Sequence, residues 1–131
     1  MWQFLQKANF DKKYDLSKAI LMHSGGWKKL LEIAVDNATF RQRLNEKFNL
    51  KHIYNYYGMV EQTGTIHMEC EAGHLHTSEY SDIIVRNPKD FSVCKNGEEG
   101  IIQSLSLLPI SYPGQSILTE DLGTILGEDD C

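Results

Sequence analysis

An α+β fold is predicted: a strand–helix–helix–strand α/β piece followed by an antiparallel β subdomain. Three observations predict it. Helical spacing of apolar residues is confined to the first third of the chain, whereas strand-like alternation dominates after Gly64. The dipeptide Asn96-Gly97, a strong short hairpin signal, lies in that second half. At 131 residues and 41% hydrophobic content the chain is long enough for one compact unit with a core of its own. The change of pattern puts the division near 61–65, giving an α/β portion over 1–61 and a β subdomain over 62–131.

Each element has its own signal. Trp2, Phe4, Leu5 and Ala8 outline a short opening helix. Ala19-Ile20-Leu21-Met22 is an apolar run ending on His23-Ser24-Gly25-Gly26, the pattern of a buried strand and a tight turn. From Trp27 the period becomes helical, with Trp27, Leu30, Leu31, Ala34 and Val35 on one face. Asp36 and Asn37 are capping residues for a second helix, whose inner face is Phe40, Leu44 and Phe48. Residues 53–57 make a second strand. Residues 65–69 alternate, and 81–86 carry Ile83, Ile84 and Val85. Segments 91–94 and 100–108 flank Asn96-Gly97 as the arms of a hairpin, and 116–118 and 123–126 add two short strands. Pro109 and Pro113 fall in loops.

Charge and composition remove several function classes. A formal net charge of −5 argues against nucleic acid, whose binders usually carry a basic face. The early basic residues (Lys12, Lys13, Lys18, Lys28, Lys29, Arg41, Arg43) and the acidic Gly127-Glu128-Asp129-Asp130 read as solvated faces. Nothing approaches the ~18 apolar residues of a membrane span, and the opening residues are too short and interrupted for a signal peptide. Three cysteines, Cys70, Cys94 and Cys131, are an odd number and make no disulfide framework, so the cytoplasm is the expected compartment. Cys131 directly follows an acidic tripeptide that resembles a turn between strands. A fragment is therefore expected, and apolar surface exposed on such a piece favours a homodimer.

Four groups of residues have chemical potential. In His23-Ser24-Gly25-Gly26, backbone N–H groups would sit beside a helix's positive end, so a flat ligand can lie against Gly25 and Gly26. The plainer reading is a turn that needs glycine for its dihedrals. In Asn55-Tyr56-Tyr57-Gly58-Met59-Val60-Glu61-Gln62-Thr63-Gly64, Tyr57 can stack on a base, Gly58 permits close approach, and Glu61 offers oxygen to Mg²⁺. The alternative is an edge strand with exposed tyrosines. In Thr119-Glu120-Asp121-Leu122-Gly123, an ionised Asp121 can accept two ribose hydroxyls, or it is simply a turn aspartate. Finally, His67, Cys70, His74 and His76 lie close in sequence and Cys131 ends the chain. Thiolate and imidazole are zinc donors, and scattered surface histidines are the bland alternative. There is no Gly-x-x-x-x-Gly-Lys phosphate loop, and Ser24, Ser78 and Ser111 lack a Gly-x-Ser-x-Gly elbow.

Taken in order, these blocks resemble the adenylate-forming superfamily of acyl-CoA synthetases and related ligases, and within it the acyl-protein synthetase (LuxE-type) family. The resemblance rests on Met22-His23-Ser24-Gly25-Gly26-Trp27-Lys28, Tyr56-Tyr57-Gly58-Met59-Val60-Glu61-Gln62, Cys70-Glu71-Ala72-Gly73-His74-Leu75-His76, Ser111-Tyr112-Pro113-Gly114 and Thr119-Glu120-Asp121-Leu122-Gly123. It implies that Asn55, Tyr57, Gly58 and Glu61 match an Asn-x-Tyr-Gly-x-Thr-Glu motif. Tyr57 would stack on adenine, and Glu61 would be the catalytic carboxylate that engages Mg²⁺ beside the α-phosphate. Asp121 would hold the ribose hydroxyls, and Gly25 and Gly26 would line the adenine and acyl pocket. Val60 stands where many relatives have threonine or serine, and Glu120 replaces a glycine of the ribose motif. By the resemblance, the phosphate-gripping loop of the superfamily would lie before Met1 and its catalytic lysine beyond Cys131, which implies a piece truncated at both ends. The implied reaction uses ATP and a carboxylic (fatty) acid to make acyl-AMP, then passes the acyl group to a protein thiol or CoA. By likeness to the phenylacetate-CoA ligase branch, Cys70, His76 and Cys131 are implied zinc ligands. The alternative is a non-catalytic module that binds a nucleotide or an acyl carrier.

Overall fold

A computed structural model of the chain describes residues 2–7, 14–128 and 131. The predicted α+β class is correct: short helices and antiparallel strands make up the described residues. They form two compact units, Met1–Tyr54 and Asn55–Cys131. The division falls inside a strand, upstream of the 61/62 position expected from the change of pattern.

The first unit is built on one amphipathic helix. Helix α2 (Asn37–Phe48) starts where the Asp36 side chain accepts from the Thr39 amide at 2.7 Å, a hydrogen bond that also holds the Asp36 carboxyl below the usual range. It ends at Asn49, whose left-handed φ of 54° is one that asparagine tolerates. Between these caps, Phe40, Leu44 and Phe48 turn inward, as their spacing predicted. They form the core with Trp2 of helix α1 (Trp2–Lys7), Leu50 and Ile53. Aromatic rings dominate this core. Trp2 meets Phe40 at 5.2 Å between centroids and Trp27 edge-on at 5.8 Å, and the Arg43 guanidinium lies 5.6 Å from the Trp2 ring. The expectation for Ala8 lies outside the described residues.

Two expectations for this unit are corrected. Strand β1 (Ile20–Ser24) is not buried: Ile20 and Met22 are exposed and alternate with half-buried Leu21 and His23. The helix read from Trp27 onward is instead a six-residue 3-10 helix, Lys28–Ile33, with Leu31 exposed. A 3-10 turn has three residues per repeat, so Leu31 falls outside the face expected from 3.6-residue spacing, while Trp27 and Val35 pack against the core.

The second unit holds two antiparallel arrangements. The later part of β2 (His52–Gly58) pairs with β3 (Ile66–Glu69), setting Tyr56 opposite Met68, Tyr57 opposite His67 and Gly58 opposite Ile66. Strand β3 pairs in turn with the two-residue β4 (Leu75–His76). A second sheet has the order β5 (Ser81–Arg86), β6 (Glu99–Ser106), β7 (Ser116–Thr124). The Asn96-Gly97 turn exists, with Gly97 at φ +86°, but it does not join two paired arms. Residues 91–94 contribute a single bridge, Arg86 with Val93, and β6 pairs with β5 and β7 instead. Among the described residues no helix is long and apolar enough to cross a membrane.

The two short strands expected over 116–118 and 123–126 are one strand with a bulge. Between the pairs Ile101–Leu122 and Gln103–Leu118, β6 advances two residues while β7 advances four. Thr119-Glu120-Asp121 thus lie opposite Ile102 alone, a surplus of two residues. Thr119 Oγ1 donates to the Ile102 carbonyl at 2.9 Å and accepts from the Asp121 amide at 3.1 Å, which fixes the bulge from inside. Beyond the bulge Gly123 pairs with Gly100, and a Cβ there would sit 2.8 Å from Ile102 Cδ1.

Candidate functional site

The bulge has a chemical consequence. It re-aims Asp121 so that Asp121 Oδ2 accepts a hydrogen bond from the Tyr57 hydroxyl at 2.8 Å, across 64 residues of sequence. Burial, then this bond, then the Asp121 charge push the Tyr57 phenol up to about 12, with Glu61 adding to the effect. Tyr57 is therefore a protonated donor throughout the physiological range. A carboxylate has about four acceptor positions, and Tyr57 takes one of them.

Glu61 sits exposed on the 3-10 helix Val60–Gln62. Its neighbour Gln62 anchors that turn. Gln62 is 0% exposed and its amide is satisfied on both sides: Nε2 donates to the carbonyls of Gly114 (2.8 Å) and Ser104 (3.3 Å), and Oε1 accepts from Ser104 Oγ at 2.6 Å. Thr65 Oγ1 donates to Ser106 Oγ at 2.7 Å, and the Thr63 amide donates to the Tyr112 hydroxyl at 3.2 Å. Glu61 is thus an exposed carboxylate on a turn fixed from beneath. Nothing in the sequence singles out Gln62, because an amide is ordinarily a surface residue.

Asn55 and Tyr57 share one face of β2 by strand alternation. The Asn55 amide N–H donates to Glu69 Oε2 at 2.6 Å, while its side-chain Oδ1 is buried with no hydrogen-bond partner among the described residues. A buried acceptor without a donor is costly in a folded chain. Gly58 lies where a Cβ would stand 3.2 Å from the Thr65 carbonyl. Gly25 and Gly26 belong to the first unit. Gly25 requires glycine for its φ of +87°, while a Cβ on either residue would meet open space.

A second group of donors gathers at the β3–β4 turn. Ligand atoms of Cys70, His76 and Cys131 all lie within 4.8 Å of one another. The Cys70 and Cys131 sulfurs are 3.8 Å apart, and His74 Nδ1 is 3.3 Å from Cys131 Sγ. Two thiolates held about 2.3 Å from a tetrahedral zinc are separated by about 3.8 Å, so the donor types and the sulfur spacing fit that ion. Hydrogen bonding, led by the His74 backbone and joined by the His76 side chain, the Ala72 backbone and Cys131, pulls the Cys70 thiol down to about 6. His67, grouped with these residues by sequence proximity, stands apart and faces Tyr57.

Comparison with solved structures gives the fold a wider setting. Apo MatB from Rhodopseudomonas palustris matches with a TM-score of 0.55 at 14% identity, covering 80% of this chain and 23% of that one. ATP-bound MatB from the same organism matches at 0.51 and 14% identity, covering 84% and 29%. The long-chain-fatty-acid-CoA ligase FadD1 from Archaeoglobus fulgidus matches at 0.52 and 16% identity, covering 79% and 22%. The chain therefore spans about a quarter of the length of these similar proteins. No curated protein matches it in sequence. The pattern of the family described as "Acyl-protein synthetase, LuxE" matches residues 3–131, nearly the whole chain, and the chain belongs to that family.

Proposed function

We propose that this chain supplies the nucleotide-binding residues of an acyl-adenylate-forming ligase that activates a fatty or other carboxylic acid for transfer to a protein thiol or CoA. One observation carries the reading: Tyr57 and Asp121, distant in sequence, are hydrogen-bonded, and the charge of Glu61 bears on the same phenol. That arrangement suits AMP. The Tyr57 ring receives adenine, the remaining acceptor positions of Asp121 take ribose hydroxyls, and the unpartnered Asn55 Oδ1 accepts from the exocyclic amino group of the base. Gly58 permits close approach. The roles of Gly25 and Gly26 rest on the family pattern alone. ATP-bound MatB is among the similar folds, which favours ATP as the nucleotide.

In this reading the acid's carboxylate attacks the α-phosphorus of ATP and pyrophosphate leaves, giving acyl-AMP. A thiol then attacks the acyl carbon, forming a thioester and releasing AMP. Tyr57 and Asp121 fix the nucleoside so that the α-phosphate is held at a set distance, the positioning contribution to the rate. Mg²⁺ neutralises phosphate charge when bound, and Glu61 is the carboxylate that would hold it. Zinc, held by Cys70, His76 and Cys131, would tie the β3–β4 turn to residue 131 and has no part in the chemistry. The cytoplasm is the proposed compartment, and a homodimer is the proposed assembly of the isolated chain.

The test is ATP–pyrophosphate exchange on the longest continuous reading frame containing this chain, over a panel of acids. Acid-dependent exchange that is lost in Asp121→Ala is expected, with the 131-residue chain alone silent. Nucleotide binding without exchange in the longer protein would favour a non-catalytic binding module. For the zinc site, metal analysis of chelator-free protein should find about one zinc per chain, lost in Cys70→Ser.

A further inference from the structure

One buried group near the proposed nucleotide site has no task in that reading. His67 stands on β3 directly opposite Tyr57, and its imidazole stacks against the phenol with centroids 5.9 Å apart and planes inclined by 26°. It is 4% exposed, and neither Nδ1 nor Nε2 has a hydrogen-bond partner among the described residues. A histidine retained for its polarity would use at least one nitrogen. This one is packed as a flat plate.

The surroundings keep it uncharged. On the face it shares, β2 presents Tyr57 and Asn55, and β3 itself presents Glu69, whose Oε2 accepts from the Asn55 amide. From β7, Asp121 engages the far end of Tyr57, its hydroxyl. From β4, Leu75 lies opposite Glu69, whereas His76 lies opposite Met68 and belongs to the other face. Exposed Glu61 acts on the Tyr57 phenol. Burial is the cause that lowers the pKa of His67 from 6.5. An imidazolium here would carry two N–H donors into a place that satisfies neither, and would have to leave the stack to be hydrated.

We propose that His67 is a positioning residue: its neutral imidazole backs Tyr57 and fixes the plane on which that ring receives a purine base, so that base binding and protonation of His67 oppose each other. The inference rests on the nucleotide reading and adds to it a residue and a proton dependence. Tyr57 touches the ligand, and His67 acts through Tyr57.

The experiment is calorimetric titration of this chain with AMP at about pH 7.5 and about pH 5.5, for the unsubstituted protein, His67→Phe and His67→Ala, with near-ultraviolet dichroism to verify folding. Because burial holds the pKa of His67 below 6.5, affinity of the unsubstituted chain should fall on the acid side of that lowered value, approaching a limit of about tenfold per pH unit. His67→Phe keeps a neutral plate, so it should bind within about twofold at the higher pH and lose the acid-side weakening. His67→Ala should bind roughly threefold to tenfold more weakly at both. An acid limb in His67→Phe equal to that of the parent would overturn the proposal, as would a folded His67→Ala with parental affinity. If His67→Ala does not fold, the comparison of His67→Phe with the parent decides alone. AMP that binds, and is weakened by Asp121→Ala yet indifferent to His67, removes this inference only. AMP that fails to bind the parent at either pH removes the nucleotide reading and this inference with it.

Discussion

The two units solve the same problem, a stable interior, with opposite materials. Among the described residues, the buried side chains of the first unit are Trp2, Phe40, Leu44, Phe48, Leu50 and Ile53, all apolar. Among the described residues of the second unit, buried Val85 is accompanied by buried Gln62, Thr65, His67, Glu69, Ser104 and Ser106. Apolar burial is non-directional, so the first interior is set by volume and shape. A polar interior is set by geometry, since each group must meet its partner or bear a desolvation penalty. That directional interior adjoins the residues proposed to meet AMP, and it explains how an exposed Glu61 is held on a fixed turn.

Substitutions can break this contrast. The largest effect is expected at Gln62→Leu, which keeps the volume but deprives two carbonyls and the Ser104 hydroxyl of their partner, at about 4 kcal/mol. Urea unfolding would measure it; a loss below about 1 kcal/mol would mean that the polar interior is not directional in this sense. Leu44→Ala in the first unit should cost about 3 kcal/mol through the cavity it leaves. Thr65→Val is a smaller probe of the second unit, expected at about 1 kcal/mol from losing its bond to Ser106.

A gentler probe leaves the fold intact and reads charge. Tyrosinate absorbance, compared between the parent and Tyr57→Phe, should reveal one phenol titrating near about 12. Asp121→Asn removes the charge and replaces the acceptor, so that phenol should move toward 10.0 while burial holds it above that value. The sign for stability follows. A raised phenol pKa means that the folded chain binds the proton more tightly between 10.0 and about 12, so this stabilisation is complete below 10.0 and is lost as pH rises through about 12. An unshifted Tyr57 would contradict the hydrogen bond to Asp121.

Much of the fold was legible because local signals and tertiary packing agree. Asp36 and the spacing of Phe40, Leu44 and Phe48 identify α2 without ambiguity, since cap and apolar face mark the same segment. The β-branched run in β5 marks a strand for the same reason. Errors arose where a local pattern allows two outcomes. An apolar run such as Ala19-Ile20-Leu21-Met22 cannot report whether its faces are covered. Asn96-Gly97 favours a tight turn, but pairing depends on distant partners, and β6 found β5 and β7. A Thr-Glu-Asp stretch resembles a turn, and only the register against Ile101 and Gln103 makes it a bulge inside a strand. At the candidate site the chemistry-bearing Tyr57, Glu61 and Asp121 were visible by type and order. Gln62 was not, and His67 reads in sequence as a metal donor beside Cys70 and not as a neighbour of Tyr57, because support by a buried polar side chain leaves no periodic trace.

The most direct measurement is titration of the isotopically labelled chain with AMP, followed by NMR. The account expects saturable shifts at the amides of Asn55, Tyr57 and Asp121, and an affinity at least about tenfold weaker in Asp121→Ala through lost charge-assisted hydrogen bonds. Shifts that spare those three residues, or an Asp121→Ala variant that binds AMP like the parent, would contradict it.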